Sequence, residues 1–124
     1  MAKARGNNHT AGKTAETAAA LFLSGHGCTV LDRNFRDGRA AEIDLIAEDG
    51  DTLVFAEVKY RSGGACGTPE EAVTSAKQAK IRLAAEYYLY KKQISQDKPV
   101  RFDVVCVEPC GGRLKIRWIR DAFR

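Results

Sequence analysis

Two neighbouring segments of this chain read as strands that are apolar on both faces, and no other feature limits the fold as strongly. They cover residues 41–47 and 52–60. Side chains alternate between the two faces of a strand, so Ile43 and Leu45 point to one side and Ile46 points to the other. A strand that buries both faces lies inside a sheet that is covered on both sides. The sequence therefore predicts a central hairpin in an α/β fold.

Charged residues interrupt this hairpin, and the length of its turn decides whether they meet. There are four of them: Glu42, Asp44, Glu57 and Lys59. If residues 49–50 form a two-residue turn, Asp44 lies opposite Phe55 and Glu57 is its diagonal neighbour. If the loop covers 49–52, Asp44 lies directly opposite Glu57. Both registers place the four residues on one face at one end of the hairpin, whereas a loop with an odd number of residues separates them.

Three carboxylates in such a place repel one another and lose hydration. A divalent cation relieves both costs, and oxygen ligands suit Mg²⁺ or Mn²⁺. A metal beside a lysine suits phosphodiester hydrolysis, because the metal activates water while the lysine offsets charge on the phosphoryl group. The pattern also allows a simpler interpretation, in which Glu57 and Lys59 form a solvated strand pair and Asp44 is an ordinary edge acid.

The remaining segments predict the order αβββαββ in a single domain over 13–124, with a flexible basic arm over 1–12. Apolar residues at helical spacing favour a helix that begins at Lys13 and ends near Gly25. A strand begins over 28–31, and Asp37-Gly38 is a turn signal after it.

A second helix is predicted after a glycine-rich loop over 61–67. Thr68-Pro69-Glu70-Glu71 has the composition of a capping box, with Thr68 as N-cap. We expect this helix to end near Tyr90, and its predicted buried residues are Val73, Ala76, Leu83, Ala84 and Tyr87. Strands over 100–107 and 114–119 then complete the order.

The length of 124 residues favours one domain, and the balance of 20 Lys and Arg against 16 Asp and Glu gives a net charge of +4. No apolar run approaches the roughly 20 residues that span a bilayer, and the N-terminus lacks the pattern of a secretory signal. We therefore expect a cytoplasmic protein whose four cysteines are reduced.

The sequence resembles the YraN-like family of bacterial proteins over about residues 12–107. The matching stretches are Gly12-x₃-Glu16-x₂-Ala19, Asn34-Phe35-Arg36, Ala41-Glu42-Ile43-Asp44-Leu45-Ile46-Ala47, Phe55-Ala56-Glu57-Val58-Lys59-Tyr60-Arg61, Lys80-Ile81-Arg82 and Arg101-Phe102-Asp103-Val104-Val105. Asp44 followed by Glu57-Val58-Lys59 also looks like the D…(D/E)xK signature of restriction-endonuclease-like, or PD-(D/E)xK, nucleases. The resemblance implies that fold, with a mixed central β-sheet flanked by helices, and a similarity to archaeal Holliday-junction resolvases.

The resemblance also implies roles for particular residues. Asp44 and Glu57 would hold Mg²⁺ or Mn²⁺, with the Val58 carbonyl as a further ligand, and Lys59 would orient or polarise the attacking water. Glu16 matches an acid that these resolvases place in the metal site. Alternatively, Glu16 is an acid in the first turn of the helix, where the helix dipole favours a negative charge. Glu42 would lie one layer behind the metal ligands or pair with an arginine nearby.

Basic residues surround the acidic cluster along the sequence and could bind phosphates. The candidates are Arg36, Arg39, Arg61, Lys77, Lys80 and Arg82. Any one of them could instead belong to a solvated face. The favoured hypothesis is a metal-dependent DNA endonuclease, with branched DNA as one substrate and a homodimer as one assembly that the resemblance implies. The alternatives are a DNA-binding or adaptor protein that kept the acids without turnover, and a protein whose partner is another protein.

Overall fold

The computed structural model describes residues 3–38, 41–61 and 73–124 of the chain, and within them it has the restriction-endonuclease-like order αβββαββ. The helices are α1, Lys3–Gly25, and α2, Ser75–Lys91. The strands are β1, Thr29–Asp37; β2, Ala41–Asp49; β3, Thr52–Tyr60; β4, Val100–Cys110; and β5, Arg113–Phe123.

The five strands form one mixed sheet in the order β1-β2-β3-β4-β5. The pairs β1–β2, β2–β3 and β4–β5 are antiparallel, whereas β3 and β4 are parallel. Parallel neighbours need a crossover connection, and α2 lies within the connection between β3 and β4. The predicted central hairpin is β2–β3, which is confirmed as the middle of the sheet.

One apolar core lies on each face of the sheet. On the first, Ala15, Ala19 and Leu23 of α1 pack against strand residues such as Leu45 and Val105. On the second, the buried residues of α2 pack against Ile46, Phe55 and Val104 among others. The expectation that β2 and β3 are covered on both sides is therefore confirmed. Ile43, which was expected on the side of Leu45, instead packs in the same core as Ile46.

Helix α1 begins at Lys3, ten residues before the predicted start at Lys13. Once the packed turns from Ala15 onward have formed, each further residue adds one hydrogen bond without a new nucleation cost. Strand β1 begins within the expected segment 28–31 and ends at Asp37, where the predicted turn signal lies, and it pairs with β2 along its length.

The second helix begins at Ser75, with Thr74 as its N-cap, and not at Thr68. The Thr74 hydroxyl accepts a hydrogen bond from the Lys77 amide at 3.2 Å, as an N-cap does. The predicted capping box at 68–71 lies outside the described residues. Buried Val73 precedes the helix instead of lying within it.

The predicted buried face of α2 was largely wrong. Leu83, Tyr87 and Ala76 are exposed. The buried residues are Ile81, Ala84, Ala85 and Tyr88, of which only Ala84 was expected. The helix carries apolar residues on two sides, so helical spacing alone did not identify the side that contacts the sheet.

The cysteines differ partly from the expectation of reduced thiols. Cys28 and Cys110 are free, but Cys106 is disulfide-bonded. A disulfide requires two thiols that lie close enough in the fold, and the number of cysteines does not show which thiols meet this condition.

Candidate active site

The hairpin register places Asp44 opposite Glu57. The pairs Leu45 with Ala56 and Asp49 with Thr52 fix this register, which is the second of the two alternatives that the sequence left open. Gly50 has a φ of 62°, a conformation that suits glycine at the first position of a tight hairpin turn.

The two strands stop pairing where the acidic residues begin. Pairing of β2 with β3 ends at Leu45 and Ala56, although β2 continues beside β1 to Ala41 and β3 continues beside β4 to Tyr60. At this point the Val58 amide donates to Asp44 Oδ2 at 2.8 Å instead of to a backbone carbonyl of β2. The Asp44 carboxylate thus lies in the fork between the two central strands.

Glu57 is buried in the same fork, with an exposed fraction of 7%. Its Oε2 lies 3.3 Å from Lys59 Nζ and 4.0 Å from Lys77 Nζ. Its Oε1 is buried and has no hydrogen-bond partner in the described part of the chain. A buried carboxylate oxygen without a partner is costly, and buried polar atoms of this kind in a native site require an explanation such as a missing ion.

Asp44 is electrostatically disfavoured as a carboxylate. Burial is the largest cause and the charge of Glu57 the second, with smaller contributions from Glu16 and Glu42; together they raise the pKa of Asp44 to about 7. The hydrogen bond from the Val58 amide acts in the opposite direction. Glu57 on β3 and Glu16 on α1, which are distant from Asp44 in the sequence, are therefore close enough in the fold to repel its carboxylate.

The fold positions the four acids differently. Glu16 is partly buried on α1, whose buried residues pack against one face of the central strands. Glu42 Oε1 lies 3.6 Å from Nη2 of Arg36, the residue that is opposite Glu42 in β1. This is one of the two roles foreseen for Glu42. Asp44 and Glu57 form the centre of the cluster.

The residues present fit a divalent cation, although they do not form a closed cage. No three His, Cys, Asp or Glu side chains converge as a metal cluster within 3–38, 41–61 and 73–124. Mg²⁺ typically uses one or two carboxylates and takes its other ligands from water and substrate phosphates. The unpartnered Glu57 oxygen and the repulsion on Asp44 are both features that such a cation would relieve.

The basic candidates fall into separate groups. Lys77 lies beside Glu57, Arg36 pairs with Glu42, and Arg82 donates to the backbone oxygen of Arg124 at 2.7 Å. Arg61 and Lys80 are exposed. Arg39 lies outside the described residues, as does the part of the glycine-rich loop beyond Arg61.

Sequence reasoning missed the contact between Lys77 and Glu57. It placed Lys77 on the second helix as a phosphate contact, but it began that helix at Thr68 and so gave no reason for Lys77 to reach the acids. With Thr74 as N-cap, Lys77 lies in the first turn of α2. The signal that could have located it is Thr74-Ser75, a second pair of N-cap residues ahead of Lys77.

Asp103 belongs to one of the stretches that carry the family resemblance, but sequence reasoning assigned it no role. Asp103 is fully buried and accepts two hydrogen bonds from Arg101, at 2.9 and 3.0 Å. The Trp118 indole donates to it at 2.8 Å and the Asp121 amide at 2.9 Å. Arg101 also pairs with Asp49. Every oxygen of Asp103 is satisfied, so this network stabilises the sheet and contrasts with the unsatisfied Glu57.

Comparison with known proteins identifies the family. The model of the uncharacterised protein family UPF0102 matches residues 15–107. The chain belongs to this family. The resemblance to YraN-like proteins is thereby confirmed.

Relatives in this family match over almost their whole length. The UPF0102 protein of Symbiobacterium thermophilum is 51% identical, over 90% of this chain and 94% of the relative. Those of Nitrosococcus oceani and Desulforapulum autotrophicum are 44% and 46% identical, each over 91% of this chain and over 90% and 92% of the relatives. In the described part of the chain, neither helix is long and apolar enough to cross a membrane.

Proposed function

We propose that this protein is a metal-dependent endonuclease that hydrolyses DNA phosphodiester bonds. The observation that carries the proposal is the Glu57 carboxylate, which is buried opposite Asp44. One of its oxygens lies near two lysines, and the other has no hydrogen-bond partner among the residues that the structure describes. A purely structural acid would have both oxygens satisfied, as Asp103 does. A bound cation would supply the partner that this second oxygen of Glu57 lacks among the described residues.

The residues divide the chemistry among them. Asp44 and Glu57 would hold Mg²⁺ or Mn²⁺, with the Val58 carbonyl and Glu16 as further ligands. The bound metal would supply activation of the attacking water and stabilisation of the leaving oxygen. Lys59 can orient that water, because its ammonium lies in the fork on Glu57. Lys77 offers a second cation to a phosphoryl oxygen from the first turn of α2.

The charge distribution suits a polyanionic substrate. Without the four acids Glu16, Glu42, Asp44 and Glu57, the chain has 20 basic residues and 12 acidic residues. The net charge of +4 therefore combines a basic remainder of +8 with one acidic cluster. Phosphate contacts from such a surface make binding fall steeply with salt. The resemblance to resolvases makes branched DNA the first substrate to test.

Cleavage of labelled linear, flapped and four-way DNA in Mg²⁺ or Mn²⁺ tests the proposal. We expect product with the wild type, none with Asp44→Ala, and retained DNA binding in both. Glu48→Gln is the matched control, because Glu48 is an acid of the same hairpin that pairs with Lys98 near the turn, away from the fork. Absence of metal-dependent product from the wild type on all three substrates would refute the proposal.

One observation favours a second candidate, a DNA-binding or adaptor protein without turnover. Lys59 and Lys77 already balance part of the charge of Glu57 without any metal. This alternative predicts salt-sensitive DNA binding that persists in Glu57→Ala, with no product at any metal concentration. The absence of DNA binding even at low salt would instead indicate a protein partner.

A further inference from the structure

Strand β5 forms one edge of the sheet and carries cations at alternate positions near its start. They are Arg113, Lys115 and Arg117, and all three are exposed. Alternate side chains of a strand project from one face, about 6.6 Å apart. The intervening Ile116 and the following Trp118 point to the other face and pack in the core that contains α1. The three cations, which we call the β5 stripe, therefore lie in a row on a single face.

The strand register places the β5 stripe on the same face of the sheet as Glu57 and Lys59. Lys59 is level with Cys106 of β4, and Cys106 is opposite Arg117 of β5. Residues that are paired across neighbouring strands project from the same face. Two strand spacings separate Lys59 from Arg117, which gives about 10 Å between their Cα atoms. The stripe thus begins close to the candidate active site.

The outer two cations of the stripe extend away from Lys59. Neither Arg113 nor Lys115 belongs to an ion pair with any residue in the described ranges 3–38, 41–61 and 73–124. Glu108 of β4 is opposite Lys115, so the three cations and this acid together carry a charge of +2. The stripe therefore presents a net positive charge to a ligand on this face.

The other edge of the sheet offers less positive charge to a polyanion. Strand β1, which is described along its whole length, has two basic residues, and both have partners. Arg33 donates to Thr17 Oγ1 at 3.1 Å, and Arg36 lies 3.6 Å from Glu42. A cation that already has a partner must give up part of that contact before it can bind a phosphate. The two edge strands are therefore not equivalent, and β5 is the one that suits a polyanion.

We propose that the phosphate backbone of DNA runs from the fork between β2 and β3, across β4, to the β5 stripe. This path rests on the proposed function and extends it beyond the reacting phosphate. The strand geometry places Arg113 about 16 Å from Lys59, a distance that about five base pairs of DNA cover. The stripe therefore adds affinity for DNA on one side of the scissile bond, and it does not touch the reacting group.

Charges on an edge strand also have a simpler role, because they prevent two sheets from pairing edge to edge. That role requires charge on β5 but no particular partner. It predicts that neutral variants of the stripe self-associate while they bind DNA as tightly as the wild type. Phosphate contact instead predicts DNA binding that is weaker and less sensitive to salt, with no change in assembly.

Anisotropy of a fluorescent DNA duplex in EDTA, over a range of salt concentrations, tests the proposal without any cleavage. In the double variant Arg113→Gln/Lys115→Gln, the slope of log affinity against log salt should decrease in magnitude by about 2, and the affinity at low salt should fall by about tenfold or more. The matched control is Lys91→Gln/Lys92→Gln, which removes the same charge from exposed residues at the end of α2 that is distant from Lys77. Its slope should equal that of the wild type.

A variant that keeps both charges, Arg113→Lys/Lys115→Arg, should bind DNA like the wild type, and circular dichroism establishes that each variant is folded. An unchanged slope in the folded glutamine variant of β5, with or without self-association, would overturn the proposal. An equal decrease of the slope in the control would overturn it too, because net charge alone would then explain the effect. A wild type that does not bind DNA at low salt would also overturn it.

Cleavage kinetics separate this proposal from the proposed function. In an active nuclease, the glutamine variant of β5 should raise KM by about tenfold with little change in kcat, because the stripe binds DNA away from the reacting phosphate. A wild type that binds DNA through the stripe but gives no product would refute the nuclease function and leave the stripe standing. A wild type that cleaves DNA, with a β5 variant that binds and cleaves equally well, would refute the stripe alone.

Discussion

The replacement Asp44→Asn should stabilise the folded protein at neutral and higher pH while removing its proposed activity. Asparagine has nearly the same shape and can still accept the hydrogen bond from the Val58 amide, which lies 2.8 Å from Asp44 Oδ2. It lacks the charge that burial and Glu57 disfavour. The wild-type acid therefore costs stability that the amide does not.

The magnitude follows from the pKa of Asp44, which rises from 3.8 to about 7 on folding. Each pKa unit corresponds to about 1.4 kcal/mol, so the ionised acid costs at most about 4 kcal/mol above pH 7. Asp44 is only partly buried, and solvent screening reduces this to about 2 kcal/mol.

The direction of the pH dependence follows from linkage. Between pH 4 and pH 7, approximately, the folded state holds a proton on Asp44 that the unfolded state has lost, so the stability of the wild type falls as pH rises through this window. The asparagine variant lacks this contribution. Its advantage should be about 2 kcal/mol at pH 8 and about 1 kcal/mol or less at pH 5.

Urea unfolding of both proteins at pH 5 and pH 8, with EDTA present, measures the effect. Asp51→Asn, which removes a negative charge from the exposed hairpin turn, controls for net charge. An Asp44→Asn variant that is no more stable than the wild type at pH 8 would refute the reasoning. So would an advantage that does not change between the two pH values.

Two other predictions concern the metal and the buried ion pair. A saturating divalent metal should raise the stability of the wild type, by about 2.7 kcal/mol when the metal concentration is one hundred times its dissociation constant. Thermal unfolding should show this rise, and EDTA should reverse it. The Asp44→Asn variant should not be stabilised by the metal. The replacement Asp103→Asn should cost about 3 kcal/mol in urea unfolding, because it removes the negative charge of the buried group to which Arg101 donates two hydrogen bonds. The control is Asp121→Asn, which alters an exposed acid paired with Arg124 and should cost less than about 1 kcal/mol. Equal losses of stability for the two variants would contradict the claim that the buried Asp103 network stabilises the sheet.

The hairpin could be predicted from the sequence because its signals are local and redundant. Alternating apolar residues identified β2 and β3, and any loop with an even number of residues placed Asp44 and Glu57 on one face. The choice between the two registers depended on which residues form the turn around Gly50. The acidic and glycine residues there are compatible with either turn, so the sequence left both registers open.

Other features depended on contacts between distant segments. The side of α2 that meets the sheet was ambiguous because Leu83 and Tyr87 are as apolar as Ile81 and Tyr88. The contact of Lys77 with Glu57 needed the true start of α2. The unpartnered oxygen of Glu57 is a property of three-dimensional packing, and no spacing in the sequence indicates it.

The most direct test of the account compares strand cleavage by the wild type and by Glu57→Gln in Mg²⁺, with enzyme in excess over four-way DNA. Glutamine keeps the shape of Glu57 but weakens metal binding, so we expect the rate to fall by about 100-fold or more, and EDTA to abolish cleavage by the wild type. Equal rates for the two proteins, or a wild-type rate that EDTA leaves unchanged, would contradict the claim that Asp44 and Glu57 form a metal-dependent hydrolytic site.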